Sequence, residues 1–178
     1  AARVKLLSPT AMLGRLEHRL SLLGGGSRDL PARQQTLRGA IGWSYDLLDE
    51  PDRALFACCS VFAGAVDLEA IEGICGSPAV DLLDGVSSLV DKSLVRRRDN
   101  ADGGTRYRML ETIREYATER LEEAGRTAES RTRHAAHFAA RVRGSATAVA
   151  GGQRRTLDLL EADNDELRAA ITWSIESG

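Results

Sequence analysis

The sequence predicts a mainly α-helical chain that carries one β-hairpin, in the order of a winged helix-turn-helix. The composition supports the helices, because the 178 residues are rich in Ala, Leu, Arg and Glu. Apolar residues recur at helical spacing through most of the chain, and the period changes to a β pattern in one place. Proline suits the first turn of a helix, and one precedes each of four helical stretches, at Pro9, Pro31, Pro51 and Pro78.

Five helices are predicted before the hairpin. Ser8, Asp67 and Ser77 supply side chains typical of N-caps, and Gly76 is a typical helix terminator. The expected helices are Pro9–Leu23, Ala32–Leu48, one beginning at Pro51, one from Asp67 to Cys75, and one opened by Ser77-Pro78 that covers Ala79–Asp91, with a linker at Gly24–Ser27.

Two β-compatible runs form the hairpin. They are Ser93–Arg98 and Thr105–Leu110, and the residues between them are Asn, Asp, Ala and Gly, as in a turn. Three helices followed by a hairpin give the order of a winged helix. The module would occupy about residues 31–124, with the hairpin as its wing and Ala79–Asp91 in the position of the recognition helix.

Strand alternation predicts the two faces of the second wing strand. Thr105, Tyr107 and Met109 would share one face, and Arg106 and Arg108 would lie on the other. Further helices are expected after the wing, at about Glu111–Ala124 (ended by Gly125), Thr127–Arg143, Gln153–Glu161 and Asn164–Ile175, with a break of small residues at Gly144–Gly152.

Charge and cysteine content bound the class of protein. A net charge of −2 argues against a surface that binds nucleic acid over its whole extent. Three cysteines, Cys58, Cys59 and Cys75, form no CxxC pair, which favours reduced, buried thiols in a cytoplasmic chain. No apolar run approaches ~18 residues, so no membrane partner is expected. The first residue is Ala rather than Met, and we expect a piece of a longer chain.

No residue pattern predicts catalysis or a metal site. The glycine run Gly24–Gly26 lacks the Gly-Lys-Ser/Thr of a phosphate-binding loop and is better explained as a linker. His134 and His137 lie three residues apart on one helix, but no further ligands have suitable spacing, which favours histidines on a helix surface or interface. The apolar surroundings of Cys58 and Cys59 disfavour a nucleophilic thiolate.

The wing offers a candidate anion-binding surface. Five arginines could grip phosphates: Arg96, Arg97, Arg98, Arg106 and Arg108. The adjacent helix opposes DNA binding, because Asp81, Asp84 and Asp91 stand against the single Lys92 and no Arg, Asn or Gln is present to read base edges. The arginines could instead meet an acidic protein surface or nucleotide phosphates, or be solvated.

Seven segments together carry a resemblance to a known family: Leu30–Arg38, Trp43–Leu48, Leu55–Gly64, Leu89–Val95, Tyr107–Ala117, Arg133–Phe138 and Leu160–Arg168. The first five resemble the winged helix of the actinobacterial STAND-type regulatory ATPases, the large AfsR-like and LuxR-type transcriptional regulators. The last two resemble the helices that lead into the TPR-like sensor region of that family.

The resemblance implies a domain layout. Residues 1–28 would end a helical domain, residues 29–124 would form the winged helix, and residues 125–178 would begin a TPR-like helical arm. The partners would be an upstream nucleotide-binding domain of the same chain, which would bind ADP or ATP, and downstream helical sensor repeats. This piece would hold no cofactor itself.

The resemblance also implies a nucleotide-sensing position. The family's Met-His-Asp motif corresponds to Met109, Leu110 and Glu111, so Leu110 replaces the histidine that would bond ADP phosphate. A simpler interpretation is that Met109 and Leu110 pack and Glu111 favours the helix N-terminus. The leading hypothesis is a non-catalytic control module that biases an inactive state. The alternatives are a DNA-binding winged helix and a helical protein-interaction scaffold.

Overall fold

The computed structural model describes residues 37–76, 81–99, 104–150 and 154–177, without the side chains of 146–150 and 154–155. The chain divides into two compact units, Ala1–Leu47 and Leu48–Gly178. In the first unit the described residues form helix α1, Leu37–Asp46, whose Ile41 is buried. The predicted Pro9–Leu23 helix and the Gly24–Ser27 linker lie outside the described residues, as does the start of the second predicted helix.

The second unit contains the winged helix and a helical arm. Its described elements, in chain order, are α2 (Glu50–Cys58), a 3-10 turn (Cys59–Val61), α3 (Leu68–Cys75), α4 (Leu82–Asp91), β1 (Arg96–Asp99), β2 (Thr105–Arg108), α5 (Glu111–Glu123), α6 (Thr127–Ala150), α7 (Arg154–Ala162) and α8 (Asn164–Glu176). We call α6–α8 the arm.

Aspartates begin the first three helices of this unit. The carboxylate of Asp49 accepts a hydrogen bond from the Asp52 amide, and Asp67 accepts from Ala70. Asp81 accepts from the amides of Leu83 and Asp84. Each carboxylate satisfies amides that have no partner within the helix, and its charge complements the helix dipole.

The core lies between α2, α4 and α5. Phe56 on α2 and Leu89 on α4 are completely buried, as is Ala117 on α5. Burial of a side chain such as Phe56 contributes about 1.5–3 kcal/mol. The helices that precede and follow the wing in sequence thus both pack into this core.

The wing is an antiparallel pair of short strands. Arg96 lies opposite Arg108, and Arg98 lies opposite Arg106. Beyond this pair, Tyr107 bonds to Val66: its amide lies 2.7 Å from the Val66 carbonyl oxygen, and the Val66 amide lies 2.9 Å from the Tyr107 carbonyl oxygen. The segment before α3 therefore extends the hairpin by one bonded residue.

Two helix boundaries differ from the sequence predictions. Helix α4 begins at Leu82 with Asp81 as its N-cap, rather than at Ser77-Pro78, because the Asp81 carboxylate bonds the first-turn amides. Helix α6 continues through Gly144 to Ala150, where a break was predicted. A glycine in a helix costs about 1 kcal/mol relative to alanine, which the rest of a 24-residue helix can outweigh.

The prediction of three reduced thiols is wrong. Cys58 and Cys75, at the ends of α2 and α3, form a disulfide, with their Cα atoms 5.7 Å apart. Cys59 remains free, and burial raises the pKa of its thiol to about 12. Spacing along the chain did not reveal the pair because packing, not sequence proximity, brings the two helix ends together.

Among the described residues, no helix is both long and apolar enough to cross a membrane.

Candidate nucleic-acid interface

The wing carries four exposed arginines, and strand alternation places Arg97 on the opposite face from the other three. Three come from β1 and one from β2: Arg96, Arg97, Arg98 and Arg108. Arg97 bonds to Asp99, with its Nη2 3.0 Å from Oδ1, but both side chains are more than half exposed. Among the described residues, Arg96, Arg98 and Arg108 have no carboxylate partner.

The wing brings like charges together. Arg96 and Arg108 are directly opposed in the strand register, an arrangement that destabilises a sheet unless the charges are solvated or bind an anion. The arginines contribute donors suited to phosphate oxygens, since a guanidinium has a planar, permanently charged fork. This surface can therefore bind an anionic partner.

Arg106, one of the five wing arginines predicted as possible phosphate contacts, is buried and does not belong to this exposed set. Its side chain is 7% exposed, and its Nη1 lies 2.7 Å from Oδ1 of Asp163. The same nitrogen donates to the carbonyl oxygens of Ala65, at 2.8 Å, and Ala162, at 3.3 Å. The face of β2 that holds Arg106 and Arg108 is covered at Arg106 and open at Arg108.

Asp163 lies between two arginines. Its second carboxylate oxygen is 3.4 Å from Nε of Arg141, and its side chain is 1% exposed. Arg141 also bonds the carboxylate of Asp67. Burial would raise the pKa of Asp67, but hydrogen bonds from Arg141 and the Ala70 amide, with the charges of Arg141 and Arg106, hold it below its usual value.

A second buried acid, Glu166, lies one helical turn after Asp163. Its carboxylate accepts the amide of Gly64 at 2.5 Å and the amide of Ala63 at 3.2 Å. Oε2 is also 2.7 Å from Nε2 of His134, whose ring contacts Phe62 and Phe138. The carboxylate is thus compensated by three hydrogen-bond partners.

The histidines on α6 lie at packed helix surfaces. His134 is buried against Glu166, and His137 is half-buried beside Gly73 of α3. Burial lowers the pKa of His137, and the positive charge of Arg141 lowers it further. The described residues contain no group of three His, Cys, Asp or Glu side chains that could hold a metal ion.

The exposed side of helix α4 carries acidic, polar and apolar residues but no basic ones. Asp84, Ser87 and Asp91 are exposed, and Leu83 is 62% exposed. Lys92 follows the helix and donates to the Ser88 hydroxyl at 2.7 Å. Helix α4, over its described residues Leu82–Asp91, has no Arg, Asn or Gln that could read a base edge.

The structure places the three nucleotide-sensing candidates at the junction of wing and α5. Met109 is buried, and Leu110 is 40% exposed at the N-cap of α5. Glu111 begins α5, and its Oε1 lies 2.7 Å from Nη2 of Arg114. The backbone arrangement fits packing by Met109, and the role of the trio toward a nucleotide stays a prediction.

No sequence pattern identified the acidic partners of Arg106 and His134. These partners, Asp163 and Glu166, occur within Leu160–Arg168, whose sequence indicates only a family resemblance. Both lie in the last part of the chain, 57 and 32 residues from their main partners. The sequence does show two acidic residues, three apart, at the start of a predicted helix. That pattern is equally typical of a helix N-terminus exposed to solvent, so it does not indicate buried ion pairs.

Comparison with known proteins agrees with the fold. Residues 48–122 match the winged helix-turn-helix domain family. A "Putative HTH-type transcriptional regulator" of Mycobacterium tuberculosis (strain ATCC 25618 / H37Rv) is 40% identical over 181 residues, which cover 100% of this chain and 20% of the relative. A protein of the same name in Mycobacterium bovis has the same identity and coverage.

A shorter relative matches part of the chain. An uncharacterized protein of Mycobacterium tuberculosis is 37% identical over 130 residues, which cover 70% of this chain and 33% of that protein. No solved structure matches significantly. The chain spans about a fifth of the length of the named regulators. The element order, the paired strands and the family match agree: residues 48–122 form a winged helix-turn-helix domain.

Proposed function

We propose that this chain is a non-catalytic region of a transcriptional regulator, in which the winged helix contacts DNA through its wing. The observation that carries the proposal is the set of four exposed arginines on β1 and β2, Arg96, Arg97, Arg98 and Arg108. The name of the two long relatives supports a role in transcription.

The charge distribution defines the mode of contact. Arginines on the wing would neutralise backbone phosphates and release condensed counterions, so binding would weaken as salt rises. Helix α4 would contribute little, because the exposed Asp84 and Asp91 repel phosphate and no described side chain on it reads bases. The proposed contact is therefore mainly electrostatic, with the DNA backbone, and has little preference for base sequence.

Salt-dependent binding to a labelled duplex tests this proposal. Each arginine that neutralises a phosphate contributes about 0.9 to the slope of log affinity against log salt concentration. We expect Arg96→Ala, Arg98→Ala and Arg108→Ala each to reduce the magnitude of this slope by about this amount, so that binding depends less on salt. Arg168→Ala, which removes an exposed arginine from α8, is the matched control. The proposal would be overturned if the wild-type chain does not bind duplex DNA, or if the wing substitutions leave the slope unchanged.

The acidic exterior of α4 favours a second candidate function. On this proposal the winged helix is a control module of a STAND-type ATPase and rests against an upstream nucleotide-binding domain that holds ADP or ATP. Met109, Leu110 and Glu111 would face the nucleotide. The support is the family resemblance of the segments, together with a helix whose charge is unsuited to DNA.

A matched pair of substitutions tests the second candidate in the full-length protein. Glu111→Ala removes a carboxylate from the proposed sensing position and breaks its ion pair with Arg114. Arg114→Ala breaks the same ion pair and keeps the carboxylate. We expect Glu111→Ala alone to change ADP retention. Equal effects of both substitutions, or no effect, would reject nucleotide sensing at Glu111.

A further inference from the structure

One short segment is hydrogen-bonded to both the wing and the arm. We call Ala63–Asp67, which joins the 3-10 turn to α3, the hub segment. From the wing, Tyr107 exchanges two backbone hydrogen bonds with Val66 of the hub, at 2.7 and 2.9 Å. Arg106 donates from Nη1 to the Ala65 carbonyl oxygen at 2.8 Å. The second wing strand is therefore attached to the hub at two adjacent residues.

The arm holds the same hub segment at its other positions. Glu166 of α8 accepts the amides of Ala63 and Gly64, and Arg141 of α6 bonds the Asp67 carboxylate. Space at Gly64 is limited, since a Cβ there would lie 3.2 Å from a carboxylate oxygen of Asp165. The arm thus reaches both ends of the hub with charged groups.

Asp163 also connects the wing and the arm directly. It lies at the junction of α7 and α8, 2.7 Å from Nη1 of Arg106 and 3.4 Å from Nε of Arg141. Arg106 and Asp163 are both less than one-tenth exposed. Substitution of either residue would leave the other charge buried with one partner fewer, which is strongly unfavourable.

We propose that the arm sets the position of the wing, and that Arg106 is the positioning residue that transmits it. The wing is a two-stranded hairpin, which is at best marginally stable by itself. Its place relative to α4 and α5 therefore depends on its attachments, and two of those attachments end on the hub and on Asp163. A ligand or domain that moves the arm would change how the wing presents Arg108 and the β1 arginines, a consequence that rests on the proposed function.

Hydrogen exchange in the whole 178-residue chain tests the coupling without a ligand. Asp163→Asn removes the charge that pairs with Arg106, and Glu161→Gln alters an exposed acid on the neighbouring helix as a control. We expect Asp163→Asn to accelerate exchange of the β2 amides, including Tyr107, at least roughly tenfold more than exchange of the α2 amides. Unchanged β2 rates would overturn the proposal. Equal acceleration in α2 would also overturn it, because the wing would then open only when the whole domain unfolds.

Duplex binding separates the positioning role from direct phosphate contact. We expect Arg106→Met to weaken binding without changing the salt slope, whereas Arg108→Ala lowers that slope. Arg106→Lys should recover part of the affinity, because one charged nitrogen makes all three of the Arg106 bonds. A lower salt slope in Arg106→Met would overturn the positioning role. Faster β2 exchange in an Asp163→Asn chain, with no duplex binding even by wild type, would reject the proposed function and retain the coupling.

Discussion

Nη1 of Arg106 lies 2.7 Å from Oδ1 of Asp163, so a wing strand is joined to the arm by an ion pair that water barely reaches. Neither charge could be buried alone at a tolerable cost. Arg106 also donates to the carbonyl oxygens of Ala65 and Ala162. The pair therefore favours one arrangement of wing and arm, since a shifted arrangement would lose these bonds.

Removal of one partner should cost far more than removal of both. We expect Arg106→Met to lower the free energy of unfolding by about 3–5 kcal/mol, because Asp163 is left charged and buried. Urea denaturation of the 178-residue chain measures this loss.

The double variant Arg106→Met/Asp163→Leu is the informative comparison. Apolar residues of similar size often replace a buried ion pair at little cost. We expect the double variant to recover most of the stability lost in Arg106→Met. A double variant less stable than the single one would contradict the idea that the unpaired charge causes the loss.

Local patterns in the sequence predicted the elements but not the partners of Arg106. Asp67 and Gly76 bracket α3 as predicted, because caps act within one helical turn. The hairpin followed from a change of period that is also local. The burial of Arg106 depends on Asp163, which is 57 residues away in the sequence. Alternation along β2 predicts which face Arg106 lies on, but not which residues of a distant helix pack against that face.

The cysteines show the same limit. Cys58 and Cys75 end two helices whose apolar faces pack, so the thiols meet because of the fold. Cys59 adjoins Cys58 in the sequence, but its side chain is buried in the core and remains a free thiol. Adjacent residues in helical backbone point in different directions, and the composition alone does not show which of the two reaches α3.

The disulfide should stabilise the domain through the loop it closes. The bond links residues 17 apart, and a loop of that order contributes about 3 kcal/mol by restricting the unfolded chain. We expect Cys75→Ser to lower the unfolding free energy by about this amount, measured in urea. Wild type with added dithiothreitol should lose the same stability, and Cys75→Ser should be insensitive to the reductant. A reductant effect of similar size in Cys75→Ser would contradict this assignment.

Alkylation tests which cysteines are free. The pKa of Cys59 is raised to about 12 by burial, so its thiolate is scarce near neutral pH. We expect iodoacetamide at pH 8 to modify none of the three cysteines in the folded, oxidised chain. Unfolding in urea without reductant should expose one reactive thiol, at Cys59. Modification of Cys58 or Cys75 under those conditions would show that the disulfide is absent.

The stability of the domain should depend on pH through Asp67. Its pKa is lower in the folded protein than the ordinary value of 3.8, so the folded state favours the charged form. This contribution is present above the unfolded pKa and is lost as pH falls through the folded pKa. We expect Asp67→Asn to be less stable than wild type at pH 7, with the difference shrinking as pH falls below about 4.

Asp67→Asn isolates the ion pair because asparagine is also a good N-cap. Other carboxylates titrate in both proteins and cancel in the difference between them. Urea midpoints measured between pH 3 and pH 7 give that difference directly. A difference that stays constant over this range would mean that the bond between Asp67 and Arg141 contributes no charge-dependent stability.

Two glycines in helices should respond to alanine in opposite directions. Gly144 lies within α6, and a Cβ there would meet no atom within 4 Å. We expect Gly144→Ala to raise the unfolding free energy by about 0.5–1 kcal/mol, since alanine loses less backbone freedom on folding. Gly73 lies within α3, where a Cβ would be 2.5 Å from Nδ1 of His137. Gly73→Ala should therefore destabilise the domain by about 1–3 kcal/mol through overpacking, despite the same gain in helix propensity.

Truncation of His137 tests whether that contact causes the loss. The double variant Gly73→Ala/His137→Ala removes the ring that a methyl group on α3 would strike. We expect it to be more stable than Gly73→Ala, whereas Gly144→Ala/His137→Ala should show simple additivity because its two sites share no contact. Additivity in both pairs would mean that the contact with the His137 ring is not the cause of the loss in Gly73→Ala.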